Sequence, residues 1–120
     1  MDERKLGAVE SRFADIIWNH EPLPSRELVR LCQEELNWKK PTTYTVLRKL
    51  CERGIFQNQE GIVSSRISRR DFYAMQSEKF VEETFAGSLP AFLAAFTARK
   101  NLTAEDVAEI RRMIDEFGED

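Results

Sequence analysis

The chain is poor in the side chains from which catalytic and metal centres are built. It holds one histidine, His20, and two cysteines, Cys32 and Cys51. No CxxC pair or histidine cluster stands beside either cysteine, so neither a metal site nor a disulfide is expected. No nucleophile elbow, phosphate loop or paired-carboxylate pattern occurs, and neither an enzyme nor a bound cofactor is expected. No apolar run approaches the ~20 residues that span a bilayer. The start, Met1-Asp2-Glu3-Arg4-Lys5, lacks the pattern of a signal peptide. A cytoplasmic protein without membrane insertion is the expectation. Internal repeats and low-complexity tracts are also missing.

With 42% hydrophobic and 32% charged residues among 120, the composition is globular rather than disordered. A chain of this length buries about 65% of its unfolded surface, enough for a modest core. The net charge is -3, but it is unevenly spread. Residues 1–37 carry a net -3 and residues 71–120 a net -6, whereas residues 38–70 carry +6, from 8 basic and 2 acidic side chains. A basic middle between acidic flanks predicts a local anion-binding surface that the global pI of 5.3 conceals.

Leu6, Val9, Phe13, Ile16 and Ile17 recur at helical spacing and predict an amphipathic helix to about Asn19, with Trp18 joining the same core. Glu21-Pro22-Leu23-Pro24 breaks it. Ser25 is the expected cap of a second helix, with Leu28, Val29, Cys32 and Leu36 as its stripe and Asn37 as its end. Pro41 suits the first turn of a third helix, which Gly54 ends with a left-handed exit. Ile55 to Gln59 and Ile62 to Ile67, around Glu60-Gly61, read as a hairpin. Ser68 and Thr103 open capping-box-like starts for later helices, and Gly87-Ser88 separates the segments between them. The predicted fold is mainly α with a small β-hairpin wing. Residues 1–70 form a winged helix-turn-helix and residues 71–120 a helical extension.

Plotted at 100° per residue, Thr43, Val46, Leu47, Leu50 and Cys51 of the third helix share the core side. Tyr44, Thr45, Arg48 and Glu52 face away, with Thr42, Lys49 and Arg53 on one flank. Hydroxyls near a helix start and cations further on suit a DNA major groove. Hydroxyls and the helix N-terminus bind phosphates, and arginine pairs bidentately with guanine. Thr45 and Arg48 are assigned to base edges, and Thr42, Lys49 and Arg53 to phosphates. Lys40, Tyr44 and the wing's Arg66 complete the candidate set.

Leu6…Glu10…Trp18, Pro22-Leu23, Arg26-Glu27, Thr42-x-x-Thr45-x-Leu47-x-Lys49-Leu50-x-x-Arg53-Gly54, Gly87-Ser88 and Leu102-Thr103-Ala104-Glu105-Asp106 stand in order along nearly the whole chain. Together they resemble the penicillinase repressor family (BlaI/MecI/CopY) of winged-helix regulators. The resemblance implies a homodimeric repressor on a palindromic double-stranded DNA operator with TACA/TGTA-like half-sites. It also implies a C-terminal dimerisation region, here carrying Phe85, Leu89, Phe92, Leu93, Phe96, Val107, Ile110, Met113, Ile114 and Phe117. Members that control β-lactam resistance are inactivated by proteolysis before a phenylalanine, under a membrane-linked sensor protease. The equivalent bond is Ala95–Phe96, where Ala95 replaces the family's Asn, and filling a core or interface is the favoured role for these aromatics. The Cys-rich C-terminal motif of copper-responsive members is missing, so copper sensing is not expected. The competing reading, a winged-helix module that docks another protein without reading DNA, accounts for the overall acidity but not for the +6 segment.

Overall fold

The computed structural model describes residues 5–118; Met1 to Arg4, where no leader is expected, and Glu119-Asp120 lie outside the described residues. Its elements run α1 (Ala8–His20), β1 (Leu23–Pro24), α2 (Ser25–Leu36), α3 (Lys40–Glu52), β2 (Phe56–Gln59), β3 (Ile62–Ser65), α4 (Arg69–Phe85), α5 (Leu89–Thr97) and α6 (Ala104–Phe117). The chain divides into two compact units, one ending at Gln76 and the other beginning at Ser77.

In the first unit, each amphipathic stripe supplies one wall of a single core. Phe13, Ala14, Ile16 and Ile17 come from α1, Leu28, Leu31 and Cys32 from α2, and Leu47 and Leu50 from α3. Ile55, Phe56 and Val63 of the hairpin and Phe72 of α4 close it. Val9, expected on this stripe, is 51% exposed, because it lies in the first turn of α1, ahead of the packed segment. Phe13 stacks on Trp38 at a centroid distance of 5.4 Å. Trp18 meets Phe56, Phe72 and Tyr73, and its indole N–H donates to the Ile67 carbonyl at 3.1 Å.

Backbone stops fall where local chemistry puts them. Asn37 ends α2 in the left-handed region at φ 56°, a conformation asparagine tolerates better than most residues. Gly54, at φ 82°, turns the chain from α3 into the hairpin. The sheet holds one strand the periodicity does not predict. Leu23–Pro24 pairs antiparallel with β3, matching Leu23 to Val63, so the order is β1-β3-β2. Ser25 opens α2 instead of capping it. Its amide donates to the Gly61 carbonyl at 2.7 Å and its hydroxyl accepts from Tyr44 at 3.2 Å. The Glu21 carboxylate accepts from the Ser65 amide at 2.8 Å and from its hydroxyl at 2.7 Å. These bonds fix the helix-turn-helix to the hairpin.

Thr43 is fully buried in α3, and among the described residues its hydroxyl has no partner better than the weakly bonding Cys32 thiol beside it. A buried unmet hydroxyl costs about 1–3 kcal/mol. Thr43→Val keeps the shape and removes that oxygen. The variant is expected to gain about 1 kcal/mol, read as a higher urea midpoint at unchanged slope.

The second unit is built differently. Ser88 caps α5 by accepting from the Ala91 amide at 3.1 Å, and Thr103 caps α6 by accepting from the Asp106 amide at 3.0 Å. Phe80, Phe85 and Phe92 meet edge to face, and Phe96 lies tilted against Phe92 at 6.2 Å. None of the described residues from Ser77 onward is buried. Leu89 is 57%, Ile114 61% and Phe117 80% exposed.

Candidate nucleic-acid interface

The N-terminus of α3 is prepared for an anion. Pro41 lies in its first turn, no acidic side chain does, and no side chain caps it. Its leading amides are left to an outside acceptor, at the positive end of the helix dipole. Thr42, Thr45, Arg48, Lys49 and Glu52 are exposed, whereas Thr43, Leu47 and Leu50 are buried. The wheel's division holds for these residues, but Tyr44, expected to face away, is half-buried against the core, and Arg53, expected on the exposed flank, is paired with Glu10. Thr45 donates its hydroxyl to the Pro41 carbonyl at 2.9 Å, so its proton is committed and its oxygen is left to serve as an acceptor. Among the described residues the Arg48 and Lys49 cations have no ion-pair partner.

The other candidates divide. Lys40 is exposed at the helix start. Tyr44 is half-buried, packed on the core and bonded to Ser25, so it joins α3 to the start of α2. Arg53 is turned inward, 3.5 Å from the Glu10 carboxylate and 3.4 Å from the Lys5 carbonyl. Arg66 lies by a groove of about 460 Å3 with Gly54, Ile67, Ser68, Asp71 and Met75, at the opposite end of α3 from Lys40 and Thr42. Arg30 is engaged by Glu27 and Glu34 within α2. Sequence reasoning missed Asn58. Its side-chain oxygen accepts from the Gly61 amide at 3.0 Å, closing a hairpin tip whose Glu60 and Gly61 both have positive φ. The signal was an asparagine three residues before the turn glycine.

The thiols offer little reactivity. Burial pushes Cys32 up to about 11, against the opposing influence of the Thr43 hydroxyl beside it. Cys51 is raised as well, by burial and then by Glu52. Neither is a ready nucleophile or metal ligand at neutral pH. Among the described residues no group of three His, Cys, Asp or Glu is placed to hold a metal ion, and no helix is long and apolar enough to cross a membrane.

Three helices, a short strand between the first two, and a hairpin after an outward-facing basic helix make a winged helix-turn-helix, the architecture of many DNA-binding regulators. The profile described as "Penicillinase repressor" matches residues 6–116, and the chain belongs to this family of transcriptional repressors. It is similar to the penicillinase repressor of Bacillus licheniformis, with 21% identity over 116 residues that cover 93% of this chain and 91% of that protein.

Proposed function

We propose that the protein is a homodimeric repressor that lays α3 in the major groove of each half-site of a palindromic operator. The observation that carries this reading is the outer face of α3, where Thr42, Thr45, Arg48 and Lys49 are exposed beside an uncapped helix start. Thr45 and Arg48 reach base edges; Thr42, Lys49 and Lys40 hold phosphates. Arg53 acts indirectly, since its pairing with Glu10 braces the end of α3 against α1. The apolar side chains left exposed in the second unit supply the face on which two copies join. A two-fold axis then sets two recognition helices about 34–36 Å apart, one turn of DNA. The net -6 of residues 71–120 keeps that region away from phosphates.

Selection against random duplex DNA supplies the operator, and gel shifts over a salt series then separate the roles. Arg48→Ala is expected to cost about 1–3 kcal/mol on the selected site and to relax specificity there. Lys49→Ala is expected to weaken all duplexes alike and to flatten the salt dependence by roughly one unit. Wild-type binding by both variants would mean that this face does not read DNA.

A further inference from the structure

A cleft of about 330 Å3 opens between α3 and the first wing strand, lined by Tyr44, Leu47, Arg48, Cys51 and Asn58. Leu47 is buried and Tyr44 and Cys51 are half-buried, so the floor is largely apolar. Two polar groups stand on it. Arg48 contributes from the helix. Asn58 contributes from β2, where its pairing with the buried Val63 puts it on the strand's inner face. The Asn58 oxygen is committed to the Gly61 amide. Among the described residues its side-chain NH2 has no acceptor. A carboxamide held by one end and open at the other is a fixed donor, since the turn bond settles which way it points.

We propose that Asn58 is a DNA-backbone contact, donating its side-chain NH2 to a phosphate of the strand that passes between the recognition helix and the wing. This deepens the reading of α3 as a DNA-reading helix and rests on it. The cleft continues the outward face of α3 through Arg48, so a duplex seated on that face brings one strand over the cleft. A sugar-phosphate unit matches the lining, with the deoxyribose carbons over Tyr44, Leu47 and Cys51 and a phosphate oxygen at the Asn58 NH2. The aliphatic stem of Arg48 forms the other wall and leaves its guanidinium free for a base edge. The wing thereby grips the backbone with a neutral donor, which suits a hairpin tip that carries Glu60 in place of a basic residue. The contact fixes register without reading sequence.

Asn58→Asp tests this cleanly. Aspartate keeps an oxygen to accept from Gly61 and so keeps the turn, but it loses the donor and sets a negative charge at the phosphate. Gln59→Glu, next along the strand and paired with Ile62, adds the same charge outside the cleft. On the operator duplex obtained by selection, Asn58→Asp is expected to lose at least about tenfold in affinity and Gln59→Glu less than about threefold, with both melting near the wild type. A second measurement probes the phosphate instead of the charge. Replacing single phosphates by methylphosphonate should reveal one position per half-site where neutralisation weakens wild-type binding and has a smaller effect on Asn58→Ala. Equal losses in Asn58→Asp and Gln59→Glu, or the absence of such a phosphate, overturn the contact. A wild-type chain that selects no duplex at all would instead overturn the reading of α3 on which it rests.

Discussion

Removal of residues 77–120 is expected to yield a folded monomer that binds its operator about 10²- to 10⁴-fold more weakly than the full chain. The cut belongs after Gln76, where the first compact unit ends. The core closes on Phe72, which is 1% exposed, so a cut after Asp71 would strip a core residue along with the extension. In the full chain the second half-site is met by a tethered module at high effective concentration. In the truncated chain it must be met from bulk solution. Sedimentation of both proteins at micromolar concentration, with gel shifts on a two-half-site duplex, checks the result. A full-length chain that sediments as a monomer would contradict the assembly.

Trp18→Ala is expected to cost about 3–5 kcal/mol, a large share of the about 5–15 kcal/mol that holds a domain of this size. The indole is the common neighbour of Phe56, Phe72 and Tyr73 and also bonds the Ile67 carbonyl. Its loss therefore opens a cavity between α1, the hairpin and α4 and orphans an acceptor. Trp18→Phe separates the two effects. It retains most of the ring packing and should lose about 1–2 kcal/mol, largely through the hydrogen bond. Urea denaturation followed by circular dichroism gives both values.

The features legible in the sequence are those governed by nearest neighbours along the chain. Asn37, Gly54, Ser68 and Thr103 mark helix ends because a left-handed turn or a side-chain cap needs only a few residues to act. The exposed face of α3 was legible for the same reason, since helical geometry alone separates Thr45 and Arg48 from Thr43 and Leu47. Partners distant in sequence were hidden. Leu23–Pro24 is two residues long and contains a proline, so only its pairing with Val63 and Ile62 makes it a strand. Arg53 has the position of a phosphate ligand on the wheel, and nothing local reveals that Glu10 stands within 3.5 Å of it. Asn58 reads from the sequence only as part of the first wing strand, and its place opposite Arg48 follows from how the hairpin packs against α3.

The bond from Glu21 to Ser65 spans 44 residues and that from Trp18 to Ile67 spans 49. This sets the order in which the module matures on the ribosome. The three helices leave the exit tunnel first, but β1 has no partner until β3 has followed, and Ser25 has no acceptor until Gly61 has followed. Closing so long a loop is entropically costly before its contacts form. The sheet that ties β1 to the hairpin can therefore close only after β3 has been made.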